Sequence, residues 1–133
     1  MKPKAKILLT CLFSVLIASC DPPHYIDFVN ISKSNAKVKL NINPKTENYD
    51  LSRMAIGDSI VFNLKPKDTA NIDFGIGNWS DKEIDEVLNS IKNIEIETED
   101  ITTIYKTKNS MKSILTNNRQ GFLLRSRIEI EVK

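Results

Sequence analysis

Few side chains in this chain are equipped for chemistry, and their positions narrow what chemistry is open. There is one histidine, His24, and two cysteines, Cys11 and Cys20. Catalytic triads, metal sites and proton shuttles all lean on histidine. His24 follows Pro22-Pro23, and such a position reads as an exposed or strand-start residue. With no second histidine, and no free thiol if Cys11 is removed and Cys20 acylated, zinc or Cys/His chemistry is not expected. Glu95, Glu97, Glu99 and Asp100 gather carboxylates over a short span. They lack the spacing and central glycine of an EF-hand loop. On a strand, alternate glutamates project one way, ~7 Å apart. That is a solvated face, opposite Lys37 and Lys39 or Arg125 and Arg127, and not a sugar-sized cleft between paired carboxylates. No catalytic residue, metal ligand or cofactor is expected, and the chain reads as a non-enzyme.

Gly75-Ile76-Gly77-Asn78-Trp79-Ser80 lies between a strand candidate and a helix candidate. That is the context of a dinucleotide fingerprint, where backbone amides approach a pyrophosphate. Ser80 replaces the third small residue, bulky Trp79 stands beside it, and the next strand alternates Ile with Glu. Strands of a parallel nucleotide-binding sheet are buried on both faces. The segment is better read as a glycine turn feeding a capped helix. Asn78 and Trp79 remain candidate ligand or interface contacts, since tryptophan is enriched at binding hot spots. The N′ position of Trp79, however, favours a hydrophobic staple with Ile84, which explains it without a ligand. Asn30-Ile31-Ser32 and Asn78-Trp79-Ser80 match the glycosylation pattern and are read as chance.

The N-terminus carries the strongest signal. Lys2, Lys4 and Lys6 precede an apolar run over residues 7–17, too short to span a bilayer, which needs ~20 apolar residues. The flanks match a secretory signal. Ala18 and Ser19 then lead straight into Cys20. This order resembles the signal and lipobox of bacterial lipoproteins, with Ile17 where leucine is commoner. The resemblance implies that residues 1–19 are removed and that Cys20 carries a diacylglycerol on its thiol and a third acyl chain on its amine. Each buried methylene contributes ~0.8 kcal/mol, and several chains anchor stably where one does not. Residues 20–24 then form the lipidated cysteine and tether, stiffened by Pro22 and Pro23. The resemblance places the protein on a membrane, facing the periplasm or cell exterior, with the outer membrane favoured over the inner.

Processing at Cys20 would change the electrostatics. The full sequence has 19 basic and 17 acidic residues. Loss of Lys2, Lys4 and Lys6 leaves 16 basic against 17 acidic. Nothing in that balance suggests a nucleic-acid partner, which calls for clustered excess Lys and Arg. Cys11 would leave with the signal and Cys20 would be acylated, so packing alone would stabilise the domain.

The elements that must position these residues are mostly strands. Phe122, Leu124, Ser126, Ile128, Ile130 and Val132 share one face of a period-two run. Ile94 and Ile96 alternate with glutamates, and Val38, Leu40 and Ile42 with polar residues. Such alternation fits antiparallel sheets with one wet face. Further strands are expected at residues 25–31, 59–64, 71–74, 101–106 and 111–115, separated by turn-forming residues. Residues 43–55 read as a long loop with at most a turn of helix. One helix is expected over about 81–91, with Ser80 as cap, Glu83 completing a capping box, and Ile84, Val87, Leu88 and Ile91 as its apolar stripe. Residues 25–133 thus predict a single β-rich domain, an antiparallel β-sandwich or partial barrel. The strand entering Asn30-Ile31-Ser32, the Gly57-Asp58-Ser59 turn and the acidic alternating strands resemble small β-sandwich lipoproteins of Gram-negative bacteria. The functional expectation is a lipid-anchored accessory or adaptor domain that binds an envelope protein. The alternative is a glycan- or small-molecule-binding module using the 75–79 turn or the 43–55 loop.

Overall fold

The period-two segments assemble into two four-stranded sheets packed as a sandwich and not closed into a barrel. The computed structural model describes residues 22–121 and 124–133; the segment through Cys20, and Phe122 and Leu123 of the expected C-terminal strand, lie outside them. In chain order the elements are β1 (Pro23–Asn30), β2 (Ala36–Ile42), α1 (Tyr49–Met54), β3 (Ser59–Leu64), β4 (Thr69–Ile76), α2 (Asp81–Asn89), β5 (Ile91–Glu97), β6 (Thr102–Tyr105), α3 (Lys108–Asn117), β7 (Arg119–Gln120) and β8 (Arg127–Val132). One sheet runs β4-β1-β8-β7 and the other β3-β2-β5-β6.

Alternation fixes which faces meet. Val38, Leu40 and Ile42 of β2, Ile94 and Ile96 of β5, and Ile128, Ile130 and Val132 of β8 are all buried in one core. The intervening Lys37 and Glu97 pair across the wet face at 3.1 Å. β1 differs because it is an interior strand, hydrogen-bonded to both β4 and β8. Its Ile26, Asp27 and Phe28 are consecutively buried. Asp27 is accommodated by a 2.8 Å hydrogen bond from the Asn71 side chain. Pro23 stands at the first residue of this strand, where a missing N–H is tolerated.

Three features depart from the sequence expectation. β1 and β8 pair in parallel, Tyr25 beside Arg127 through Asn30 beside Val132, so the sandwich is mixed and not wholly antiparallel. There are three helices among the described residues, not one. The expected strand at 111–115 lies inside α3. Thr107 caps that helix by accepting the Ser110 N–H at 3.1 Å, and Met111 and Leu115 bury one stripe at i, i+4. The third departure is at the strand ends. β1 starts at Pro23, two residues early, and β8 starts only at Arg127.

The registers give the sandwich two ends. Pro22, Ile76 and the start of β8 lie at one, here the proximal end. Asn30, Ala36, Leu64, Thr69 and Glu97 lie at the other, the distal end. α2 and α3 pack on each other and against β5 and β8. Lys112 of α3 meets Asp85 of α2 at 2.7 Å.

Candidate functional site

At the proximal end, the 75–80 segment closes the core. Gly75 has φ +84°, a conformation that side chains rarely adopt, and its N–H donates to Asp73 Oδ1 at 2.7 Å. Gly77 is favoured for a different reason. A Cβ there would lie 3.0 Å from Nδ1 of His24. The two glycines therefore serve a turn and a close approach. Ser80 then caps α2 in a full capping box, its Oγ accepting the Glu83 N–H at 3.2 Å and its own N–H donating to Glu83 Oε2 at 2.8 Å. Burial would push the Glu83 carboxyl up, but hydrogen bonds from the Ser80 backbone and hydroxyl hold it below the usual range.

Trp79 is 1% exposed. Its indole Nε1–H donates to the Tyr25 carbonyl at 3.1 Å, and its backbone N–H to the Arg125 carbonyl at 2.7 Å. Phe74 meets it edge-on with ring centroids 5.1 Å apart, and the His24 ring lies 3.9 Å away. The indole is thus a core side chain, as is its staple partner Ile84. As a candidate ligand or interface contact, Trp79 therefore presents almost no surface to solvent. Asn78 beside it is exposed. His24 is a strand residue but not an open one, at 7% exposure. Its buried Nε2 has no hydrogen-bond partner among the described residues. Burial lowers its pKa from the ordinary 6.5, against the opposing pull of Glu83 and Asp73.

The distal end is open and rich in charged and amide side chains. A groove of about 420 Å³ lies among Asn35, Lys37, Asn63, Lys65, Glu97 and Glu99. A second, of about 370 Å³, lies among Ser32, Lys33, Ser34, Asp100, Ile101 and Lys133. The two share Thr98 and Glu99. A buried asparagine ties the connections beside them. Asn30, 0% exposed, donates through Nδ2 to the carbonyls of Ser34, Leu64 and Lys65 at 2.9, 3.1 and 3.1 Å. Its Oδ1 accepts from the Ser32 N–H at 3.0 Å and the Ser32 hydroxyl at 2.7 Å. One amide thereby fixes the β1–β2 and β3–β4 connections together. The Ser32 hydroxyl is committed to this knot and is not a poised nucleophile. The grooves present amides and charges of both signs. That chemistry suits a polar peptide or protein surface.

The 43–55 segment forms a third depression, about 450 Å³, lined by Lys45, Thr46, Glu47, Asn48, Glu86 and Asn89. Asn48 also caps α1, accepting the Leu51 N–H at 3.0 Å. Of the two segments expected to serve a small-molecule module, the loop has a cavity and the 75–79 turn has a buried tryptophan.

Sequence reasoning did not find the distal grooves. Their linings combine strand ends, such as Lys37, Asn63 and Glu97, with turns that the sequence marks only as breaks between strands. The Asn-x-Ser at residue 30 was the one usable signal, since asparagine often hydrogen-bonds backbone two residues on. Among the described residues, no His, Cys, Asp or Glu group is placed to hold a metal, and no helix is long and apolar enough to cross a membrane. No protein-family model, curated protein or solved structure matches the chain.

Proposed function

We propose that this protein is a lipid-anchored component of a bacterial cell envelope whose β-sandwich binds another envelope protein. The observation that carries the reading is the order of its N-terminus. Lysines, a short apolar run and Ala18-Ser19-Cys20 stand immediately ahead of a domain whose first strand begins at Pro23. Acyl chains on Cys20 would hold the domain at a membrane. The mixed-charge distal grooves support an accessory or adaptor role, because they sit at the end farthest from that attachment. Lys33, Lys37, Lys65 and Lys133 face Glu97, Glu99 and Asp100 there, a pattern that selects a partner by charge register more than by hydrophobic area.

The test is Cys20→Ala in the full chain. The variant should leave the membrane fraction and lose acyl labelling, while the wild type keeps both. Equal membrane retention and labelling in the two proteins would defeat the anchor. Crosslinking in native membranes should then recover a heterologous partner, and reversing Lys37 and Lys65 to Glu should weaken that recovery.

A second reading rests on the 450 Å³ depression of the 43–55 loop. Its amides and carboxylates suit the hydroxyls of a sugar. Amide chemical shifts of Lys45–Asn48 that stay fixed across a glycan panel would remove it.

A further inference from the structure

We infer that the proximal end of the sandwich rests directly on a lipid surface, with Ile76 and Leu124 dipping into it and Trp79 sealing the core behind them. This rests on lipidation of Cys20, and its test separates the two ideas. The argument begins with chain length. Two residues beyond Cys20 the chain is already part of the fold, since the Pro22 carbonyl accepts the Gly77 N–H at 3.3 Å. At ~3.3–3.6 Å per residue, the Cα of an acylated Cys20 stands at most ~7 Å from that of Pro22. A tether so short cannot hold the domain away from the bilayer. It also dictates which end faces the bilayer.

That end has the surface such a contact needs. Ile76 pairs with Pro23 at the strand start and is 68% exposed. Leu124, 46% exposed, precedes Arg125, whose carbonyl accepts the Trp79 N–H. Pro22 and Pro23 lie between them and add no backbone N–H to be dehydrated. Three acidic groups of this rim are engaged within the protein. Asp73 accepts the Gly75 N–H, Glu83 closes the capping box, and Asp81 meets Arg119 at 2.8 Å. Arg125 remains exposed, a cation at the level of lipid phosphates. The buried indole lies directly behind this rim, held by the Tyr25 and Arg125 carbonyls.

The protein carries its own depth gauge, because Trp79 is the sole tryptophan. Lipidated full-length protein is reconstituted into phosphatidylethanolamine/phosphatidylglycerol vesicles containing phosphatidylcholine brominated near the top of the acyl chains. Trp79 emission should fall relative to unbrominated vesicles. Ile76→Glu combined with Leu124→Glu should restore most of that emission while the protein still cosediments. Ile76→Cys, labelled with an environment-sensitive dye, should shift to the blue, and a label on Ile101→Cys at the distal end should remain water-like. Cosedimenting, acyl-labelled protein with unquenched Trp79 and equal dye spectra at both positions would overturn the contact while leaving the anchor intact. Crosslinks from residue 76 to a protein in place of quenching would overturn it in favour of a protein partner. Protein that neither cosediments nor takes up acyl label would overturn both the contact and the anchor beneath it.

Discussion

Asn30 offers the most discriminating test of how this fold is held at its distal end. Its side chain takes part in five hydrogen bonds from a fully buried position. Asn30→Ala removes all five. Each is worth ~0.5–1.5 kcal/mol net, and a buried group left unsatisfied adds ~1–3 kcal/mol. Several of the partners have help. The Lys65 carbonyl also accepts the Asp68 N–H at 3.0 Å, and the Ser34 carbonyl also accepts the Ser32 hydroxyl at 2.9 Å. With water reaching the part-buried bonds, a loss of about 3 kcal/mol is expected. For a domain of this size that lowers Tm by on the order of 10–15 °C.

Asn30→Asp sharpens the test. It keeps the shape and the two accepted bonds but cannot donate to three carbonyls, and it faces them with a charge. At neutral pH it should destabilise at least as much as alanine. Acidification should narrow the deficit, since a protonated carboxyl regains one donor. Thermal unfolding of wild type and both variants at two pH values is the assay. An Asp variant as stable as wild type at pH 7, or an Ala variant within about 1 kcal/mol of it, would refute the assignment of this amide as the tie between the two connections.

Three further outcomes follow from the proximal end. The pKa of His24 is lowered in the folded state by burial, so the unfolded chain takes up the proton first as pH falls. Its contribution is complete above 6.5 and declines between 6.5 and the lower folded value. His24→Leu should flatten that part of the Tm-versus-pH curve, and an unchanged slope would contradict the burial. Ser80→Ala should cost about 1 kcal/mol through loss of the α2 cap, measured by urea unfolding; a neutral result would mean that the staple holds the helix start without the box. Gly77→Ala should cost about 1–3 kcal/mol by driving a methyl into the His24 ring, and pairing it with His24→Ala should recover part of that loss in a double-mutant cycle.

The parts of this fold that were legible in sequence are those written in local periodicity. Glu95 and Glu97 between Ile94 and Ile96 mark a strand with one wet face whatever its neighbours are. Ser80, Glu83 and the stripe from Ile84 to Leu88 mark α2 for the same reason. Period two says nothing about the direction of a partner, so the parallel pairing of β1 with β8 left no trace. Nor does it mark where a strand stops. The alternation of Leu124 and Ser126 continues that of β8, yet the chain there has left the sheet and Leu124 is exposed. At residues 111–115 two periods fit the same letters. Met111, Ile114 and Leu115 have helical spacing too, and the Thr107 cap decides between them. His24 sits at a strand start as its sequence position suggests, but its burial is not legible there, because the residues that cover it, Phe74, Gly77 and Trp79, lie fifty or more positions away. A glycine marks a close approach without saying what approaches. The same holds for function. The proposed anchor rests on a contiguous motif, whereas the distal grooves unite turns and strand ends that only the folded β1–β2, β3–β4 and β5–β6 connections bring together. A site built from turns is read from sequence only once the strand order is known. The buried Asn30 that ties two of these turns is therefore the residue to alter first.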